Sequence, residues 1–121
     1  MLTLTREEGQ CIYLGRKLWF PDPESTYDYR IDFDVVDHRV GYRRIEVLVD
    51  SRIDIQRHTL TPSQSDLDFG PEMRLAFLKT HEYCKEGVMT PVARIGIRAP
   101  RNVSILRDNA SPLLTNRSLP L

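Results

Sequence analysis

Arginine is the residue type of this chain most able to do recognition chemistry, and four arginines crowd its C-terminal part. Between residues 92 and 110 they face a single acid, Asp108. The four are Arg94, Arg98, Arg101 and Arg107. Because a guanidinium pairs with phosphate and stacks on planar groups, a polyanion is expected to meet this segment. The whole chain is neutral, with 17 Lys plus Arg against 17 Asp plus Glu, and so lacks the basic surplus of a typical nucleic-acid binder.

Two other sets of side chains have types that could do chemistry. His81 and Cys84 could both face a metal on a helix, but two ligands do not make a zinc site. Asp32, Asp34 and Asp37 could bind a cation or act as acids, yet alternation with apolar residues favours the solvent face of a strand. No phosphate-binding loop, dinucleotide fingerprint, nucleophile elbow or zinc-protease motif is present. We therefore predict no metal site, no cofactor and no enzymatic activity.

Cysteine content and the N-terminus indicate the compartment. Cys11 and Cys84 are the two cysteines, too few for a disulfide framework. Arg6, Glu7 and Glu8 lie where a signal peptide would need apolar residues, and no run approaches the length of a membrane span. We expect a cytoplasmic protein without a membrane partner.

The elements that position the arginines start with residues 92–108, which predict a β-hairpin. Apolar and polar side chains alternate on its first strand, and Pro100 favours a turn. The second strand places Val103, Ile105 and Arg107 on one side. On pattern alone, Arg107 could simply be a snorkelling side chain at the end of an apolar row.

Strands are also predicted near the N-terminus and in the middle of the chain. Residues 1–15 alternate, break at charged residues and resume, which indicates a bent strand or a tight strand pair with Gly9 at the bend. Residues 16–27 predict a loop anchored by Trp19 and Phe20. Alternation predicts strands at 29–36 and at 44–55, the second interrupted by a bulge or turn at Asp50-Ser51.

A helix is predicted from about Pro71 to Glu86. Pro71 suits a first helical turn, Glu72 favours the positive end of the dipole, and Lys85 with Gly87 marks a stop. One face of this helix would be apolar and would dock on the protein's own sheet, a partner-binding groove being the functional alternative. That face comprises Met73, Ala76, Phe77, Tyr83 and Cys84.

Two stretches resemble one known family. Residues 1–15, M-L-T-L-T-R-E-E-G-Q-C-I-Y-L-G, are similar to the opening of the carbon storage regulator (Csr/Rsm) family of bacterial RNA-binding translational regulators, usually M-L-I-L-T-R-R-x-G-E-x-[IL]-x-[IL]-G. Residues 92–108 resemble its later segment, usually [QV]-[VA]-[RK]-[IL]-G-[IV]-x-A-P-x-x-[VI]-x-[VI]-x-R-[ED]. The two stretches keep the family's order and cover roughly 32 of 121 residues.

The resemblance implies a mainly β fold. It predicts one domain over 1–121, a small antiparallel sheet or barrel-like subunit that carries the inserted helix. The family core would comprise 1–15, 44–50 and 92–108, with insertions at 16–43 and 56–91 and an irregular tail at 111–121. Family members form an interlocked two-fold homodimer, the first strand of one subunit lying beside the last strand of the other. Such pairing is reasonable for a small core with exposed edges.

The resemblance also implies a function. Family members bind single-stranded RNA at G-G-A in hairpin loops of mRNAs or small RNAs, and so block ribosome access. Unpaired loop bases can be read by main-chain groups, while apolar side chains and guanidinium planes stack on them. The positions that match the family's contact residues are Leu4, Thr5, Arg6, Val103, Ile105, Arg107 and Asp108. Plain strand packing is the alternative role for Leu4, Val103 and Ile105.

Three departures from the family pattern leave a second function open. Glu7 replaces a common second arginine and would repel phosphate, and Leu106 replaces a frequent histidine. The tail 111–121 carries two prolines, which disfavour the C-terminal helix of the family. The helix predicted at 71–86 would take the place of that C-terminal helix on the sheet. The alternative is an interaction protein of the same fold that has lost RNA affinity and pairs with or antagonises another family member.

Overall fold

The computed structural model describes residues 1–108, with the side chain of Asp108 excepted, so the predicted tail at 111–121 lies outside the described residues. The mainly β prediction is confirmed: nine strands form two antiparallel sheets. The strands are β1 Leu2–Glu7, β2 Cys11–Gly15, β3 Tyr29–Asp37, β4 Arg44–Asp50, β5 Ile55–Leu60, β6 Asp66–Gly70, β7 Met73–Lys85, β8 Val88–Arg98 and β9 Ser104–Asp108. A single 3-10 turn, Pro23–Ser25, is the only helical segment in this part of the chain.

The two sheets enclose one hydrophobic core. Sheet A has the strand order β1-β8-β7-β6, and sheet B has the order β5-β4-β3-β2-β9. Both sheets contribute to one buried cluster, because alternate residues of each strand point inward. Its fully buried members include Ile12, Leu14, Ile31, Phe33, Ile45, Val47, Leu75, Ala93 and Ile95.

The strand orders reveal an internal two-fold relation. If each strand from β1 to β4 is exchanged with the strand four places later, β1-β8-β7-β6 becomes β5-β4-β3-β2. Each half therefore contributes a three-stranded meander to one sheet and its first strand to the other. β1 pairs with β8 of the second half, and β5 pairs with β4 of the first.

The registers of the two halves agree residue by residue. Ile31 faces Val49 as Leu75 faces Ile97, and each long strand then has a bulge one residue past its phenylalanine. The Phe33 amide donates to the Gln10 carbonyl at 2.9 Å, and the Phe77 amide donates to that of Ser65 at 2.7 Å. β9 alone breaks the relation, since it covers the edge of β2 and no described strand covers the edge of β6.

The predicted helix at 71–86 is wrong, because this range forms most of the hairpin between β7 and β8. Met73, Leu75 and Phe77 are buried with a period of two, and the bulge after Phe77 shifts the buried phase to Thr80. That shift produced the three- and four-residue spacings of an amphipathic helix. The apparent stop signal is the hairpin turn, where Glu86 has φ 52° and Gly87 has φ 80°.

The predicted hairpin at 92–108 is also wrong. Its strands exist, and the Val103 amide donates to the Pro100 carbonyl at 3.0 Å in the predicted turn. However, β8 joins sheet A between β1 and β7, whereas β9 joins sheet B beside β2. The turn therefore carries the chain between sheets. The stretch 1–15 makes a similar passage, with Gly9 at φ 90° between β1 and β2.

Two further expectations need correction. Trp19 and Phe20 do not anchor their loop, since they are 60% and 57% exposed; Leu18 and Tyr27 pack instead against Cys11 and Tyr13. By contrast, the turn expected at Asp50-Ser51 is confirmed, since β4 ends at Asp50 and the chain returns as β5. His81 and Cys84 lie on a strand, so their three-residue spacing does not place them on one face.

Over residues 1–108 no helix has the length and apolar character that crossing a bilayer requires.

We expect Leu75→Ala to destabilise the protein by about 2–5 kcal/mol, since this side chain is fully buried between the sheets. Leu78→Ala is the matched control, because Leu78 lies at the bulge and is 45% exposed; it should cost well under about 1 kcal/mol. Urea unfolding measures both. Equal losses, or separate transitions for the two sheets, would contradict the single shared core.

Candidate functional site

The residues matched to the family's contacts lie on two edge strands. β1 is an edge of sheet A, and among residues 1–108 it pairs with β8 alone. β9 is an edge of sheet B and pairs with β2 alone within the same range. Each strand therefore leaves one row of main-chain donors and acceptors without a strand partner among the described residues.

Apolar side chains of both edges meet in the core. Leu4 is 4% exposed on the inner side of β1 and belongs to the central cluster. Val103 and Ile105 are half-buried and pack against that cluster. The sequence-distant segments are thus brought to one core, and Val103 and Ile105 keep part of their surface for contact.

Arg6 ties β1 to the start of β2. Its side chain is on the inner side of the sheet and is only 5% exposed. Its Nε donates to the Thr5 carbonyl at 2.7 Å, and its Nη1 donates to the Cys11 carbonyl at 3.1 Å. Cys11 is the sheet partner of Asp108 at the end of β9. The Arg6 guanidinium therefore lies at the point where the first and last strands approach each other.

The exposed members of the set point to different sides. Arg107 is exposed on β9, where it is the register partner of Ile12 on the neighbouring strand β2. Thr5 is exposed on the outer side of β1 and faces Arg94 of β8. The structure thus brings Leu4, Arg6 and the β9 residues to one region and places Thr5 on the outer face of sheet A.

Glu7, the acid that departs from the family pattern, accepts a hydrogen bond and forms an ion pair with two residues of β7. Lys85 Nζ lies 3.0 Å from Glu7 Oε1, and the Tyr83 hydroxyl donates to Glu7 Oε2. Partial burial pushes the pKa of Glu7 upward, but the bonds from Tyr83 and Lys85 outweigh burial and hold that pKa below its usual value. The carboxylate is therefore charged at neutral pH, and its repulsion of phosphate is reduced by Lys85.

A polar cavity of about 350 Å³ lies beside this cluster. The residues around it are Thr5, Arg6, Glu7, Gln10, His81, Tyr83 and Val92. Nδ1 of His81 is buried and has no hydrogen-bond partner within the described part of the chain. The predicted helix did not group Tyr83, Lys85 and His81 at this site. On a strand, their spacing of two residues puts all three on one face.

Comparison with protein-family models, with curated proteins and with solved structures gives no match. The family resemblance thus rests on residues 1–15 and 92–108 alone, and stays a prediction.

We expect Tyr83→Phe to raise the pKa of Glu7, because the ring is kept and the donated hydrogen bond is lost. A carboxyl whose pKa is lower in the folded than in the unfolded protein contributes stability at pH values above the unfolded-state pKa. This contribution is lost as the pH falls through the folded-state pKa. The variant should therefore lose stability at pH 7, by less than about 1 kcal/mol for so exposed a pair, and match the wild type at pH 2.

NMR titration of the Glu7 carboxyl and urea unfolding at the two pH values measure these effects. Tyr42→Phe is the control, since Tyr42 is 62% exposed. An unchanged Glu7 pKa in Tyr83→Phe would show that the Tyr83 bond does not set it.

Proposed function

We propose that the protein is a divergent post-transcriptional regulator that binds single-stranded G-G-A sequences in RNA hairpin loops, in mRNA or small RNA, through β1 and β9. The observation that carries the proposal is the convergence, in one chain, of the two segments that resemble the Csr/Rsm family. Leu4 and Ile105 join one core, and Arg6 binds the carbonyl of Cys11, which pairs with Asp108.

The edges offer the groups that loop bases need. Unpaired bases can bond to the outward main-chain groups of β1 and β9, and can stack on Val103, Ile105 and the Arg107 guanidinium. Arg107 is exposed and forms no ion pair with residues 1–107, so it is available for phosphate or base contact. Arg6 is buried against two carbonyls, and we assign it the role of holding β1 beside the start of β2; direct contact by Arg6 stays a prediction.

The homodimer implied by the resemblance also stays a prediction. β1 pairs with β8 and β5 pairs with β4, so first strands are exchanged within one polypeptide. Residues 1–15 and 92–108 therefore approach without a second copy. If copies associate, we propose that they do so in addition to this internal exchange.

A gel-shift comparison tests the function. The wild type and Arg107→Ala are titrated against a G-G-A hairpin and a C-C-A control. We expect the wild type to prefer G-G-A, and Arg107→Ala to lose about 5- to 150-fold in affinity, since a stacked base contributes roughly 1–3 kcal/mol. Arg101→Ala is the matched control, because Arg101 lies exposed in the preceding turn. Equal affinity in every combination would rule the function out.

The second function is favoured by one observation, the burial of Arg6, which removes a guanidinium from the RNA-facing surface. In that case the chain is an interaction protein that pairs with or antagonises a Csr/Rsm-family member. It should then co-purify with such a regulator and release its bound RNA. Lack of both effects, together with G-G-A binding by the chain itself, would eliminate this second function.

A further inference from the structure

The outer face of sheet A carries a row of cations that the proposed function does not use. Strand pairing places Lys79, Arg94 and Thr5 side by side across β7, β8 and β1. Arg98 lies on the same face, four residues along β8 from Arg94, about 13 Å at the rise of an antiparallel strand. Between them lie small residues, Gly96 with Ala76 and Thr3 as its neighbours. We call Lys79, Arg94 and Arg98 the basic row.

The basic row is electrostatically unfavourable in the protein alone. Lys79 and Arg94 are direct sheet partners, and like charges in that position repel. Both are exposed, and within residues 1–107 neither they nor Arg98 forms an ion pair. Arg74, which faces Arg98, differs because it is paired with Asp68 at 2.7 Å. An external anion would relieve the repulsion that the sheet leaves uncompensated.

The internal two-fold relation provides a comparison within the same molecule. Arg94 faces Thr5 in sheet A, and its counterpart Glu46 faces Thr59 in sheet B. Arg98 pairs with Arg74 in sheet A. At the equivalent place in sheet B, Asp50 pairs with Arg30, so Asp50 is the counterpart of Arg98. Both cations are thus replaced by acids at the equivalent places.

The acids of sheet B are also satisfied inside the protein. Glu46 is paired with Arg57 at 2.9 Å and with Arg44. Asp50 accepts hydrogen bonds of 2.8 Å from the Tyr27 hydroxyl and from the Arg52 amide. The two faces share their backbone plan but not their charge, so the neutral net charge of the chain hides one face with unpaired cations.

We infer that the basic row binds the phosphate backbone of the single-stranded RNA that flanks the recognised loop. The inference deepens the proposed function and rests on it for the identity of the ligand. Thr5 connects the two surfaces, because it belongs to the β1 edge and is the sheet neighbour of Arg94. A strand whose bases are held at β1 and β9 reaches Arg94 and Lys79 by crossing β1. These contacts are independent of sequence, since phosphate carries no base information.

The test compares the salt dependence of RNA binding in three proteins: the wild type, the double variant Lys79→Gln/Arg94→Gln, and a control, Lys17→Gln/Arg43→Gln. Lys17 and Arg43 are exposed, carry the same charges and lie in loops outside sheet A. The probes are a G-G-A hairpin with ten-nucleotide single-stranded flanks, the same hairpin without flanks, and a flanked C-C-A hairpin.

For the flanked G-G-A probe, loss of two phosphate contacts should reduce the slope of log K against log salt by about 1.4. Between 50 and 200 mM salt the wild type should therefore lose about sevenfold more affinity than the double variant, while the control follows the wild type. Flanks should strengthen binding by the wild type and not by the double variant. Its thermal midpoint should be equal or higher, because a like-charge pair has been removed.

The outcomes separate the inference from the proposed function. Equal G-G-A and C-C-A affinities, with the slope difference kept, overturn base recognition and support the basic row. A G-G-A preference with equal slopes in all three proteins overturns the basic row alone, whereas absence of RNA binding overturns both the basic row and the proposed function. If light scattering instead shows a low-salt dimer that the double variant loses, with no change in RNA slope, the row binds the acidic face of another copy and the inference is overturned.

Discussion

The exchange of first strands between the two halves is the constraint on which the rest of the structure depends. β1 completes the sheet built from β6 to β8, and β5 completes the sheet built from β2 to β4. Neither half can bury its apolar residues alone, because Leu4, Ile31 and Val47 of the first half lie in the same core as Leu75 and Ile95 of the second. The exchange also leaves β1 and β9 as edges of different sheets, which is what makes a composite surface from distant segments possible.

The number and type of strands were more predictable than their pairing. Period-two alternation correctly indicated β3 and β4, since Ile31 and Phe33 in β3, and Ile45, Val47 and Val49 in β4, are buried with a period of two. The same rule failed at β7, where one bulged residue, Leu78, changes the phase and makes a strand resemble a helix. No local pattern could reveal that β8 and β9 enter different sheets, because β1, which pairs with β8, and β2, which pairs with β9, each lie about ninety residues away.

The candidate site was also predictable only in part. The family resemblance indicated the positions on β1 and β9, but it did not reveal the burial of Arg6 or the bonds that Lys85 and Tyr83 donate to Glu7. The crowding of arginines after residue 92 indicated the two arginines of the basic row. The register of β7 on β8 was needed to place Lys79 beside Arg94. The proposed function depends on cross-strand neighbours, which sequence spacing does not encode. The neutral composition is informative only after the charges are assigned to the two faces.

An NMR titration of the whole chain with the G-G-A hairpin tests the central claim most directly. We expect the largest changes in amide chemical shift at residues 4–6 and 103–108, with further changes at Lys79 and Arg94. The two-fold counterparts of these cations, Val35 and Glu46, should be unaffected. Shifts centred on the outer face of sheet B, or no shifts at either edge strand, would contradict the account.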